Sequence, residues 1–272
     1  MASTNHAASA RVLDMLRTQF TFQISVDTDN LPQAYVVADA ALEGGITLLE
    51  MGTPLLKTEG VRHVVPAFRQ RYPKALILAD MKSMDGAGFE ARGIYQNGGN
   101  IIDFLALAGV ASARNVAAAR DEFRDHDPTM ARLAFADILV PQQGPANVAV
   151  DTAQRMRDAG MDGVGLHLQL DARRADPSLH ASSYLSDIAR AVFEAVGDTC
   201  SVQVVVSPPT TCSVQVVGGL TIAQAKALAK DGLRAFVISG NFGLAESHAG
   251  YGAPAEEQTR LVKDFIAQVS AA

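Results

Sequence analysis

Eight short apolar runs, each followed by a stretch of helical period, predict a (β/α)8 barrel for this chain of 272 residues. Two further observations support that class. The runs are almost continuous in apolar residues rather than alternating, which is how parallel strands covered on both faces should read. Glycines stand at the ends of several helical stretches just before the next run, at Gly44, Gly45, Gly98, Gly99, Gly160 and Gly232, where a left-handed residue ends a helix at little cost. An open doubly wound sheet uses the same units and is the competing architecture.

The elements follow in order. A helix over 9–19 precedes any strand; Val12, Leu13, Leu16 and Phe20 share its apolar face, so it either covers the barrel's bottom or extends an interface. The first strand is expected at 22–27 and its helix at 32–42, where Ala34, Val37, Ala38 and Ala41 recur at helical spacing. The second pair is 46–51 and 60–71, with Val61, Val64, Val65 and Phe68 on one face. The next pairs are 75–80 with 88–96, 101–107 with 111–123, 132–139 with 147–159, and 163–167 with 182–196. The hexapeptide CSVQVV then occurs twice, at 200–205 and 212–217, with Pro208 and Pro209 between the copies. Those prolines stop one strand from running through both. The second copy leads straight into Gly218-Gly219, a strand-to-helix turn, so 213–217 is expected as the seventh strand. The first copy then becomes an insert before it, as an edge strand or an extended loop. A helix at 222–230, an eighth strand at 235–239 and a helix at 255–269 complete the chain. Residues 1–272 read as one domain.

Composition removes several classes. There are 29 acidic and 23 basic residues, a formal net charge of −6, with 48% hydrophobic and 19% charged residues. A disordered chain needs fewer apolar residues and more charge. The acidity and the lack of basic blocks argue against a nucleic-acid groove. No apolar run approaches the ~18 residues of a membrane span. The N-terminus lacks the basic start and apolar stretch of a secretory signal, so a cytoplasmic protein is expected. Two cysteines, Cys200 and Cys212, build neither a disulfide framework nor a cysteine-rich zinc site.

In such a barrel the chemistry sits at the C-terminal ends of the strands. Those ends carry Asp27, Glu50, Asp80, Asp137 and His167, while Gly218-Gly219 and Ser239-Gly240-Asn241-Phe242-Gly243 follow the last two strands. Asp80 and Lys82 are two apart and, in extended chain, share a face. A lysine between carboxylates stays protonated and can donate a proton; the structural alternative is a surface ion pair worth ~0–1 kcal/mol. Glu50 and Asp80 end adjacent strands, and two hard oxygen ligands with open positions suit Mg²⁺. The alternative for each is a helix cap or a pair with Lys57 or Lys82. His167 ends an apolar run, as a catalyst or as a satisfied core residue. The glycine turns after strands seven and eight stand where barrels bind phosphate through backbone N–H groups, or serve only as tight turns.

Two motifs carry a resemblance. LLEMGTPLLK at 48–57 resembles the E-x-G-T-P-L-[IL]-K segment of the 3-hexulose-6-phosphate synthase and 3-keto-L-gulonate-6-phosphate decarboxylase group, within the orotidine 5′-monophosphate decarboxylase superfamily. ADMKSMD at 79–85 resembles its A-D-x-K-x-x-D signature. The resemblance implies that Glu50 and Asp80 bind Mg²⁺, which holds an enediolate. It implies that Lys82 and His167 handle protons, that Asp27 and Asp137 contact substrate, and that Asp85 crosses a homodimer interface into the partner's site. The phosphate of a phosphorylated sugar would lie against Gly218, Gly219, Gly240 and Asn241.

Within the group, HLQLD at 167–171 has an apolar residue before Asp171, like the synthase H-T-G-I-D and unlike the decarboxylase H-R-S-x-D. Asp137 likewise resembles the synthase pattern. The resemblance therefore implies an aldol reaction between formaldehyde and ribulose 5-phosphate, or its reverse. Leu168 and Gln169 replace a Thr-Gly pair, and Asn241 departs from the group's Gly or Arg. The alternatives are decarboxylation of a β-keto sugar acid phosphate and a sugar-phosphate-binding paralogue without turnover.

Overall fold

Eight parallel strands close on themselves in sequence order: β1 (Thr21–Val26), β2 (Leu48–Met51), β3 (Leu76–Asp80), β4 (Ile101–Leu105), β5 (Leu133–Val140), β6 (Gly163–Leu168), β7 (Ser201–Val206) and β8 (Ala235–Ser239). The barrel is closed by β8 pairing with β1, Thr21 opposite Ala235 through Ser25 opposite Ser239. This is a computed structural model, and it describes residues 6–142, 144–181, 183–206, 221–239 and 254–272.

Twelve α-helices are found among the described residues: α1 (Ala7–Thr18), α2 (Leu31–Gly44), α3 (Thr53–Glu59), α4 (Val61–Arg71), α5 (Ala87–Gln96), α6 (Gly109–His126), α7 (Ala146–Asp158), α8 (Leu170–Ala175), α9 (Ser178–Ala181), α10 (Tyr184–Val196), α11 (Ile222–Lys230) and α12 (Ala255–Ser270). The expected helices are present, and three short ones, α3, α8 and α9, add to them. Local chemistry sets several boundaries. Asn30 caps α2, its side chain accepting from the Gln33 N–H at 3.0 Å, and Thr221 and Gln224 form a reciprocal capping box on α11. The fourth strand stops at Leu105, short of its expected end, because the chain tightens into a 3₁₀ turn at Ala106–Ala108.

The seventh strand corrects the expectation. The first CSVQVV copy, not the second, forms β7, with Ser201 opposite Gly163 on β6 and Gln203 opposite Ala235 on β8. Only residues 197–200 separate it from α10, a short helix-to-strand link of the usual kind. The extra residues therefore follow β7 instead of preceding it, and the second copy lies outside the described residues.

Strand alternation sorts the side chains into two cores. Outward-facing residues such as Phe22, Ile24, Ile77, Ile102 and Val164 pack beneath the helices. Inside the lower barrel, Leu48, Leu78, Ile101, Leu133 and Phe135 form a separate cluster sealed by Leu16 of α1. The N-terminal helix thus covers the bottom of the barrel. Gly163 makes room for this plug, since a Cβ there would lie 2.6 Å from the Phe135 ring. Sealed at its lower end by apolar side chains, the barrel presents its polar interior at the C-terminal ends of the strands.

Candidate active site

Polar side chains fill the upper half of the barrel. Glu50, Asp80, Asp103 and Asp137 are each buried, with 5–8% of their surface exposed. Buried carboxylates demand partners, and most of the geometry here consists of those partners. Glu50 on β2 accepts from the Gln23 amide and lies 2.8 Å from the Ser25 hydroxyl, which is also 3.0 Å from Asp27 Oδ1. Both of these donors come from inward positions of β1, a signal too common in polar residues to stand out in sequence.

Asp80 Oδ2 accepts from Lys82 Nζ at 2.7 Å and from the Thr53 hydroxyl at 2.8 Å. Thr53 belongs to the Gly-Thr-Pro segment at the start of α3, so that segment ties the β2 loop to the acid that ends β3. Gly52 beside it cannot carry a side chain: a Cβ would collide with Asp27 Oδ1 and lie 2.6 Å from the Val26 carbonyl. Asp80 Oδ1 is buried without a hydrogen-bond partner.

Lys82 is the hub. Its Nζ also donates to Asp137 Oδ2 at 3.3 Å, and His167 Nδ1 lies 3.4 Å from that same oxygen. Asp137 on β5 thus joins the lysine after β3 to the histidine on β6. Burial alone would lower the Lys82 pKa, but Asp80 and Asp137 outweigh it and hold the ammonium well above the ordinary lysine value. Burial alone would raise Asp137, yet Lys82 and His167 prevail and keep its carboxyl below the usual range. Glu50 goes the other way: burial, then the charges of Asp80 and Asp27, push it up to about 8.

The structure therefore brings together Asp27, Glu50, Asp80, Lys82, Asp137 and His167. Asp85 stands apart, exposed on the loop before α5, where its carboxylate accepts from the Gly86 N–H at 2.8 Å. Gly218, Gly219, Gly240 and Asn241 lie outside the described residues. One member was missed from the sequence. Asp103 sits in the middle of β4, in register with Asp80, and burial, with the charges of Asp137 and Asp80, raises its pKa well above the usual value. Its signal was a single acid inside an otherwise apolar run, Ile101 to Leu105.

Among the described residues five carboxyl groups crowd one ammonium and one imidazole, and the mutual repulsion that helps raise Glu50 and Asp103 is what a bound cation would relieve. Among the described residues no three His, Cys, Asp or Glu side chains form a metal cluster. Glu50 and Asp80 are hard oxygen donors on neighbouring strands, and Asp80 Oδ1 is left unpartnered. That set fits Mg²⁺, which takes one or two carboxylates and keeps open positions for water or substrate.

Comparison with known proteins shows the family and the fold of the chain. The 3-hexulose-6-phosphate synthase of Methylomonas aminofaciens is 27% identical over 186 residues, 67% of this chain and 79% of the relative. The crystal structure of 3-hexulose-6-phosphate synthase from Salmonella typhimurium matches with a TM-score of 0.66 at 20% identity, covering 92% of this chain and 99% of that one. That of 3-keto-L-gulonate-6-phosphate decarboxylase from Vibrio cholerae also gives 0.66, at 18% identity and 93% and 99% coverage; at such identities these two show the fold. The model of the orotidine 5′-phosphate decarboxylase / HUMPS family matches residues 21–177, more than half of the chain. The chain belongs to the orotidine 5′-phosphate decarboxylase / HUMPS family.

Proposed function

We propose that this chain, one barrel domain over residues 1–272, is a Mg²⁺-dependent carbon–carbon lyase. It acts as an aldolase on a phosphorylated ketose, joining formaldehyde to ribulose 5-phosphate or running the reverse. The observation that carries the reading is Lys82 held between Asp80 and Asp137, with His167 on the far side of Asp137. The relatives named 3-hexulose-6-phosphate synthase support the substrate.

Aldol addition requires a proton to leave C1 of the ketose, and charge then builds on the adjacent oxygen as an enediolate. A fixed ammonium beside that oxygen lowers the barrier by charge stabilisation in a desolvated site. Lys82 supplies it and stays charged because Asp80 and Asp137 hold it so. His167 presents Nδ1 to Asp137, which fixes the tautomer and leaves Nε2 as the base for the C1 proton. The new bond joins C1 to the formaldehyde carbon, and the formaldehyde oxygen takes up a proton. Asp27, at the barrel mouth, binds substrate hydroxyls. Glu50 and Asp80 would hold Mg²⁺, which when bound supplies Lewis-acid stabilisation of negative oxygen. The phosphate is assigned to Gly218, Gly219, Gly240 and Asn241.

Two further assignments go with this reading. A homodimer in which Asp85 enters the partner's site is supported by the exposed Asp85 and by apolar neighbours open to solvent, Met84 (55% exposed), Phe89 (80%) and Leu107 (45%). A cytoplasmic location suits a phosphorylated substrate, which does not cross membranes unaided; no described helix is long and apolar enough to span one.

Decarboxylation of 3-keto-L-gulonate 6-phosphate is the second reading, favoured by the shared fold of that decarboxylase and by chemistry that also develops an enediolate. Incubating the purified protein with formaldehyde, ribulose 5-phosphate and Mg²⁺ separates the readings. Formation of a hexulose phosphate supports the aldolase. CO₂ release from the keto acid, with no aldol product, supports the decarboxylase. Neither product, with sugar phosphate bound, supports a binding protein without turnover.

A further inference from the structure

Asp103 is the buried acid to which the proposed reaction gives no role. It lies mid-strand in β4, 8% exposed, in register with Asp80. Among the described residues Asp103 Oδ1 is shielded from solvent and has no hydrogen-bond partner. Two strands along, Gly165 on β6 lies near it: a Cβ there would lie 3.6 Å from Asp103 Oδ2 and 3.1 Å from Asp137 Oδ1. Two carboxyl groups therefore converge on a point where β6 carries no side chain.

Packing gives no reason for an acid here. The interior below is filled by Leu48, Leu78, Ile101 and Leu133, and a leucine at 103 would continue that filling without burying a polar group. Buried polar groups lacking partners are uncommon in native structures, and each needs an explanation such as a functional role. Asp137 already commits Oδ2 to Lys82 and His167. Its Oδ1 and Asp103 Oδ2 are then the carboxyl oxygens beside the Gly165 gap.

We propose that Asp103 is a substrate-contacting, specificity-determining residue whose carboxyl group pairs with a hydroxyl of the phosphorylated ketose. This rests on the aldolase reading. A polyhydroxylated sugar brings the donors that a desolvated carboxyl lacks. A site built to hydrogen-bond a hydroxyl rejects an analogue without it far more strongly than an apolar pocket can.

The test compares Asp103→Leu and Asp103→Asn with wild type by thermal unfolding without ligand, by kinetics, and by calorimetric titration with ribulose 5-phosphate. Asp103→Leu is expected to unfold at the wild-type temperature or above it. Its kcat/KM should nonetheless fall at least about tenfold, chiefly through KM, with a matching loss of affinity. Asp103→Asn, which keeps one acceptor oxygen, should fall between. A leucine variant that unfolds earlier, or one that keeps wild-type KM and affinity, overturns the proposal. Wild type that neither binds nor converts ribulose 5-phosphate overturns the aldolase reading and this assignment with it, an outcome distinguished by the wild-type protein alone.

Discussion

Lys82 is the one non-glycine residue among those described with a left-handed backbone, at φ 47°. Such a conformation is disfavoured for a residue with a side chain and tends to persist where the surroundings enforce it, often at functional sites. Here Asp80 and Asp137 hold the ammonium. Lys82→Ala should keep the fold and lower turnover by ~10²–10⁴-fold, measured with saturating ketose phosphate and formaldehyde. Gly52 is a second single-residue test: Gly52→Ala forces Asp27 or the Val26 backbone aside, so KM for the sugar should rise. Most of this site was legible because Asp27, Glu50, Asp80 and His167 close apolar runs and so stand where barrel chemistry occurs. Asp103 was not, because Phe104 and Leu105 follow it and, unlike Asp137, which also precedes apolar residues, it lies in no segment that resembles the group. Gln23, Ser25 and Thr53 carry no distinctive spacing, and only the folded barrel turns them toward Glu50 and Asp80.

At the scale of elements, α1 acts as a stopper. Leu16 is 1% exposed and closes the lower core, while the Ser9 hydroxyl accepts from the Arg132 backbone N–H at 3.0 Å. Leu16→Ala should destabilise the protein by about 2–5 kcal/mol, as buried leucine truncations do, while leaving KM unchanged, since the site is at the other end. Between α2 and the end of α4 lies a polar contact beside the Tyr35–Phe68 ring packing: Asp39 accepts from Arg71 at 2.6 Å and from the Tyr72 hydroxyl at 2.7 Å. Its partial burial works against ionisation, but Arg71 and Tyr72 prevail and lower its pKa. A carboxyl lowered on folding contributes stability above its unfolded value, roughly 3.9, and loses it as pH falls through the folded value. Asp39→Asn should therefore lower the unfolding midpoint slightly at neutral pH, and the difference should vanish in strong acid. The duplicated hexapeptide shows what an element's sequence leaves open. Both CSVQVV copies have identical strand propensity, and the glycine turn favoured the second. Register with β6 and β8, and the short link from α10, select the first.

On the scale of the whole molecule, a net charge of −6 coexists with a barrel whose own interior is acidic, and a cation is the natural complement. The exposed Phe89, Met84 and Leu107 around Asp85 mark the surface assigned to the dimer. Phe89→Asp should convert a dimer to a monomer in sedimentation at micromolar concentration and remove activity. Mixing the inactive variants Lys82→Ala and Asp85→Ala should restore part of the activity if sites are shared between subunits, and none if each subunit works alone. Together, Lys82, Asp137 and His167 should form and hold an enediolate of ribulose 5-phosphate. Proton NMR of that sugar in D₂O with Mg²⁺ and no formaldehyde reads this step. Enzyme-dependent loss of a C1 proton signal, absent with Lys82→Ala, is expected; binding of the sugar with no exchange at C1 would overturn the enediolate chemistry.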